Sequence, residues 1–308
     1  MAKYGLKFSG CFGDVLYSTP TLRYMSLSHN QKMDIETNRP ELFINNPYVD
    51  RIFNPEKGEF IPGDVVTYDM NGHNFGESQK QIRVMHTIDY WSTHLGFTLT
   101  SKDKTLEFYP DDVEFEVPSG KYVVINPSKT WDCRTWLKEN WEKLAELLIK
   151  VDVKVVVTGQ DITYGEDDHK SFLNLQTEGV INLTNKLNLS QLWYLVNGSF
   201  AVITMAAGLL PFAGTTDAFI IELGSATHPE YRTPFRNGSQ DYKHKFVEGS
   251  CRLHCQSDMK YNVYSGDEKI TRWNGFRLPG CYENKPTYEC HPSVNAVYNT
   301  ILELLMKK

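Results

Sequence analysis

Twice along this chain a short apolar strand breaks at a turn, gives way to a helix and begins a run of further strands. A parallel sheet with crossover helices accommodates that order. The first cycle starts at once. "YGLKF" reads as a strand, "SGCFGDV" as a turn bracketed by Gly10 and Gly13, and "TPTLRYMSLSH" as a helix with Pro20 and Thr21 near its start. "KMDIET" alternates as a strand. "RPELFINNPYVDRIFN" then gives a short helix, an Asn-Pro stop and a strand. "GDVVTYD" is a further strand, and "KQIRVMHTIDYWSTHLG" a longer amphipathic helix.

At "VEFEVPSGKYVVINPS" the pattern restarts, punctuated by Pro118, Ser119 and Gly120. "KYVVINP", "VKVVVTG", "GVINLTN", "FAVITMA" and "AFIIELG" read as strands. "LKENWEKLAELLIKV" and "NLSQLWYLVNGS" read as the helices between them, and "PSVNAVYNTILELLMKK" as a terminal helix. The expectation is an α/β protein with one unit over residues 1–118, a second over 121–291 and a helix over 292–308. A ligand cleft is expected between the two units.

Charge narrows the partners. Lysine and arginine total 32 against 38 acidic residues, a formal charge of -6. That speaks against a backbone-wide nucleic-acid footprint, while a local basic groove stays compatible with it. No apolar run approaches the ~20 residues of a spanning helix, which leaves peripheral membrane contact open. "MAKYGLKFSG" reads as a strand rather than a signal peptide, so a cytoplasmic location is expected. The sequons "NLT", "NLS" and "NGS" then carry no glycosylation meaning. The oligomeric state is not legible.

Three places carry candidate chemistry. Asp14 follows the second glycine of the first turn, where a carboxylate either caps the helix or acts as a general base at the mouth of a sheet. "NPSKTWDCRTWLKENW" gathers Ser128, Lys129, Thr130, Arg134 and Thr135 around a helix start, as an anion site or as a solvated loop. Trp136 and Trp141 there are expected to pack the helix. "ITMAAGLLPFAG" offers Gly208 and Gly214 after a strand, but neither a carboxylate nor an imidazole. Cys11 is expected to be cleft wall rather than nucleophile, and Cys133 stands isolated in sequence. Cys251, Cys255, Cys281 and Cys290 form two pairs suited to one structural zinc or iron ion, with free thiols or two disulfides as the alternatives.

Four segments together resemble the heptosyltransferase family of glycosyltransferases: "GDVLYSTPTLRYM", "ELFINNPYVDRIF", "VINPSKTWDCRTWLKENWEKLAELL" and "INLTNKLNLSQLWYLV". They occur in family order across both expected units. The resemblance implies the GT-B arrangement, two Rossmann-like domains facing a cleft, and an inverting transfer of a sugar from a nucleotide donor that needs no catalytic metal. A glycan is the expected acceptor. Asp14 takes the position of the family's proposed base. Gly13, Ser128, Thr130, Arg134, Thr135 and Gly208 fall on the donor side, with Arg134 at the phosphates. The first unit becomes the acceptor side, where Asn71, His73 and Asn74 would read sugar hydroxyls while Tyr90 and Trp91 either stack on a sugar ring or pack their helix, and the terminal helix is expected to return toward it. Some relatives carry a four-cysteine metal finger near the C-terminus.

The chain departs from the family where the donor diphosphate is held. Ala206 stands at an aspartate, Ala207 at a hydroxyl residue and Pro211 at a histidine, so that only Gly208 remains. That leaves a rearranged or redirected donor site, or a catalytically silent nucleotide- or sugar-binding relative. Transfer onto modified nucleic acid or protein is the enzymatic alternative.

Overall fold

The computed structural model describes residues 2–70, 85–127, 132–160, 174–257 and 288–307. Within them the chain forms two wholly parallel sheets. The first holds β1 (Tyr4–Lys7), β2 (Met33–Glu36), β3 (Val49–Phe53) and β4 (Val66–Asp69) in the order β3-β2-β1-β4. The second holds β5 (Tyr122–Ile125), β6 (Lys154–Val157), β7 (Ile181–Asn182), β8 (Ala201–Thr204), β9 (Phe219–Leu223) and β10 (His244–Val247) in the order β10-β9-β8-β5-β6-β7. Renumbered from β5, the second sheet has the 3-2-1-4-5-6 order of the doubly wound fold. The first sheet has the first four strands of the same order. The α/β GT-B expectation therefore holds.

Each sheet has a switch point beside its founding strand, where consecutive connections depart in opposite directions. Such crevices collect ligands because two loops separate there and expose backbone groups. In the first sheet the crevice lies between β1 and β4. In the second it lies between β5 and β8, whose registers pair Val124 with Val202 and Ile125 with Ile203.

The helices follow from local chemistry. α1 (Phe12–Leu16) is a single short turn after β1, and α2 (Thr19–His29) begins with Pro20, whose missing amide hydrogen costs nothing in a first turn. Asn30 closes α2 in the left-handed region at φ 51°. α3 (Thr87–His94) is N-capped by His86, whose side chain accepts from the Ile88 amide. The expected helix began at Lys80, and residues 80–84 lie outside the described ones. α4 (Lys138–Ile149) carries Trp141, Leu144, Ala145 and Leu148 on its buried face, an i, i+3, i+4, i+7 stripe. α5 (Leu189–Asn197) opens with a capping box, in which Asn188 and Gln191 satisfy each other's backbone amides. α6 (Leu209–Ala213) and α7 (Val294–Met306) complete the set.

Alternation along β5 divides the core. Val123 and Ile125 point to one face of the second sheet, where Trp136, Trp141 and Leu148 cover them. Tyr122 and Val124 point to the other, into a continuous cluster with Leu195, Phe212, Leu6, Phe8 and Leu16. That cluster draws side chains from both sheets. The outer face of the first sheet is instead closed by paired charges: Arg51 bridges Asp34, and Glu36 accepts from the Ile61 amide at 3.0 Å while pairing with Lys7.

The terminal helix differs from expectation. α7 was expected to return to the first unit, but it buries Val297 and Ile301 against the Trp141–Leu148 face of α4 and lies beside β10. Its apolar stripe matches a face that the second sheet would otherwise leave open to water.

Candidate active site

Asp14 is the third residue of α1, just beyond the carboxyl end of β1. It is not the helix N-cap. Cys11 occupies that position and makes no side-chain cap bond. The turn before it is held from the neighbouring crossover, because the Gly10 amide donates to Asn38 Oδ1 at 3.0 Å and Asn38 returns a bond to the Gly10 carbonyl. The Asp14 carboxylate, 45% exposed, faces across the cleft to Arg232, whose Nη1 lies 3.7 Å from Oδ1. Arg232 belongs to the loop after β9, in the second unit.

Arg134 approaches the same carboxylate from another loop. It ends a short 3-10 turn after β5, and its Nη1 donates to the Ala206 carbonyl at 3.0 Å, just past β8. Burial pulls the guanidinium below its ordinary pKa. The nearby Arg232 acts in the same direction, and Cys133, Asp14 and Cys11 oppose it. Burial and the Asp14 charge raise the Cys11 thiol, against the pull of Arg39 and Arg134. Arg39, Arg134 and Arg232 thus stand around one carboxylate and one thiol at the mouths of both sheets. Such a group of cations can bind an anion and stabilise charge on a leaving group.

Gly13 and Gly208 meet each other rather than open a cradle. A Cβ on Gly13 would come within 3.2 Å of Pro211 Cγ and 3.4 Å of Gly208 Cα, and one on Gly208 within 3.2 Å of Phe12. Both glycines let α1 approach α6 closely. Pro211, at the family's histidine position, is buried in that contact. Thr135 is buried, whereas Ser128 and Thr130 lie outside the described residues.

The loop carrying Arg232 clasps the first unit. The Tyr17 hydroxyl donates to the Arg232 carbonyl, and Arg232 Nη1 donates to Thr87 Oγ1. His86 Nε2 lies 3.0 Å from the Thr233 carbonyl, while its Nδ1 accepts from the Ile88 amide. The imidazole is therefore neutral with its proton on Nε2, and burial lowers its pKa to about 3. Thr233 is held in turn by Glu222, which also pairs with His244 at 3.0 Å in the interior.

Tyr90 and Trp91 are buried and pack α3 rather than offering a stacking surface. Asn71, His73 and Asn74 lie outside the described residues. Trp136 and Trp141 pack edge-to-face at 4.9 Å, as expected. Among the cysteines, Cys255 and Cys290 pack against Cys133, which looked isolated in sequence. Burial, with Cys133, Cys255 and Cys251 nearby, pushes the Cys290 thiol up to about 12. Cys281 lies outside the described residues. Among those described, no three His, Cys, Asp or Glu side chains are disposed to hold a metal ion. No described helix is long and apolar enough to cross a membrane.

Sequence reasoning missed Arg232. Its one signal was position: in "ELGSATHPEYRTP" it follows a strand at the ligand-bearing edge of a parallel sheet.

The model of glycosyltransferase family 9 (heptosyltransferase) matches residues 80–260, which include Arg134, Gly208 and Arg232 but not Asp14. Lipooligosaccharide heptosyltransferase 2 of Haemophilus influenzae is 30% identical over 103 residues, covering 33% of this chain and 30% of that protein's length. Among solved structures, the iron-containing dodecameric glycosyltransferase TibC of enterotoxigenic E. coli aligns with 99% of this chain and 76% of its own at TM-score 0.72 and 17% identity. E. coli heptosyltransferase WaaC with ADP aligns over 98% and 99% at TM-score 0.57 and 14% identity.

Proposed function

Because this chain belongs to glycosyltransferase family 9, the heptosyltransferases, we propose that it moves a sugar from a nucleoside-diphosphate donor to a hydroxyl of a glycan, with inversion at the anomeric carbon. A heptose is the first donor sugar to test, since a TibC structure holds ADP-D-β-D-heptose. Residues 1–118 form the acceptor side in this proposal and 121–291 the donor side, and the protein works in the cytoplasm.

The observation that carries the proposal is Asp14, placed at the carboxyl edge of β1 opposite Arg232 and near Arg134. A sugar hydroxyl is a weak nucleophile, so its proton must leave as the new bond forms. The acceptor oxygen attacks the anomeric carbon and the bond from that carbon to the diphosphate oxygen breaks. The hydroxyl proton passes to Asp14, and the electron pair leaves with the nucleoside diphosphate. Arg134 stabilises that departing charge, and Ser128, Thr130 and Thr135 are the further donor-side residues of the proposal. Gly13 and Gly208 contribute by bringing α1 and α6 together at the floor of the cleft. Replacing Asp14 with Asn is expected to lower transfer by about 10²-fold or more while donor binding persists. Unchanged transfer overturns the base assignment.

Ala206 and Pro211 favour a catalytically silent binder as the alternative, since Pro211 is engaged in packing on Gly13. A donor that binds wild-type protein yet is neither transferred nor hydrolysed would establish it. A structural zinc or iron ion at Cys251, Cys255, Cys281 and Cys290 belongs to the same proposal. It is supported by the nearness of Cys251 and Cys255 to Cys290, and TibC is iron-containing. The described thiols do not by themselves make a closed ligand set, so no chemical step is assigned to a metal.

A further inference from the structure

We infer that Arg232 is a donor-diphosphate ligand that pairs with Asp14 until the donor arrives. The inference rests on the proposed glycosyl transfer and adds to it the group that replaces the side chains absent at Ala206, Ala207 and Pro211.

Three observations carry it. First, positive charge converges on the cleft among the described residues. Arg134 and Arg232 stand close together, and Arg39 lies near Cys11 on the opposite wall, with Asp14 between them. The nearest buried carboxylate of the clasp, Glu222, is already engaged by Thr233 and His244. Like cations crowded at a partly buried site repel one another unless an anion joins them. A diphosphate, carrying about two negative charges at a point where two cations converge, has the right sign and size.

Second, Arg232 has donor capacity to give. A guanidinium carries five N–H donors in a planar fork. Here Nη1 serves Thr87, while Nε is buried without a hydrogen-bond partner among the described residues. The 3.7 Å separation from Asp14 Oδ1 is an ion pair but too long for a hydrogen bond. A buried donor left unmatched is costly, and a phosphate oxygen would satisfy it.

Third, the residue is rigidly presented. Its carbonyl accepts from Tyr17, its amide donates to the Pro229 carbonyl at 2.9 Å, and His86 grips Thr233 beside it. The guanidinium reaches from the second unit to the first, across the seam where donor and acceptor must meet. A diphosphate that drew Arg232 toward Arg134 would free the Asp14 carboxylate to face the acceptor hydroxyl, so donor binding and readiness of the base would be coupled.

The test is calorimetric titration of full-length wild type, R232Q, R232K and D14N with ADP, UDP and GDP and with the parent nucleosides. At least one nucleoside diphosphate is expected to bind wild type. R232Q should weaken it about 10- to 100-fold, the range for losing a charge-assisted hydrogen bond, with nucleoside affinity unchanged. R232K should fall between. D14N removes the competing carboxylate while leaving the Tyr17, Thr87 and His86 contacts of the clasp in place, so it should bind the same diphosphate several-fold more tightly. This arm stands even if R232Q fails to fold. Equal diphosphate affinity in folded R232Q and wild type, or in D14N and wild type, overturns the role of Arg232 and leaves the transferase proposal standing. A wild-type protein that binds none of the diphosphates overturns both.

Discussion

At the scale of single residues, His86 and Gly13 show how little of a side chain's role is chosen locally. His86 caps α3 with one ring nitrogen and grips the opposite unit with the other, which requires a neutral imidazole. Its folded pKa of about 3 lies below the unfolded value of 6.5. The unfolded chain therefore takes up this proton first as pH falls. The contribution is fully present above pH 6.5 and is lost between 6.5 and about 3, at roughly 1.4 kcal/mol per pH unit. Denaturant titrations across that window should show the slope in wild type and a shallower one in H86Q. Gly13 makes a steric prediction. G13A places a methyl group 3.2 Å from Pro211 and should destabilise the protein by about 1–3 kcal/mol. Thermal unfolding measures this, and an unchanged melting temperature would mean that α1 and α6 yield easily.

At the scale of elements, caps and turns explain most boundaries. α5 starts where it does because Asn188 and Gln191 close a capping box, so the "NLS" sequon is a helix start. N188A should cost about 1 kcal/mol of stability, read by equilibrium unfolding, and leave donor binding unchanged. The loop between β5 and α4 is positioned differently. Its Arg134 hangs on the Ala206 carbonyl, and its Cys133 carbonyl accepts from His291 Nε2 at 2.9 Å, a ring that burial keeps neutral by lowering its pKa. Cys133 also packs on Cys255 and Cys290. The segments carrying Cys255, Cys290 and His291 thus brace the loop that carries Arg134.

At the scale of the whole molecule, the core that joins both sheets and the Arg232 loop define how the units meet. Tyr17, His86, Thr87 and Asp14 of the first all contact residues 232–233 of the second. These contacts tie the two units together through one loop, and the pH dependence of His86 belongs to the same joint. The cysteine cluster makes the remaining prediction. Elemental analysis of untagged, chelator-free protein should find about one zinc or iron per chain, and C290S should lower metal content and melting temperature together. Clearly substoichiometric metal would leave the cysteines as packed thiols.

Local pattern sufficed for β1 to β9, for α2 over its full length, for the helical stripe of α4 and for the packing of Trp136 and Trp141, while β10 escaped it because "HKFV" is too short and polar to show a period. Period, turn residues and proline act within a few positions of the backbone, and they are written where they act. Asp14 was legible on the same terms, as an acid after a Gly-x-x-Gly turn at the edge of a strand. The company it keeps was not. Arg232 reaches Asp14, Cys133 reaches Cys290, and α7 turns to α4 rather than to the first unit. Each of those contacts joins segments far apart in the chain, selected by which faces the two sheets leave uncovered and by where their crossovers deliver the loops. Gly208 and Pro211 show the same division of labour. In sequence, by the resemblance, Gly208 is what remains of a phosphate motif and Pro211 stands where its histidine would be, whereas in the fold both are the surface on which α1 rests, because only the packed arrangement decides whether a glycine faces a ligand or another helix.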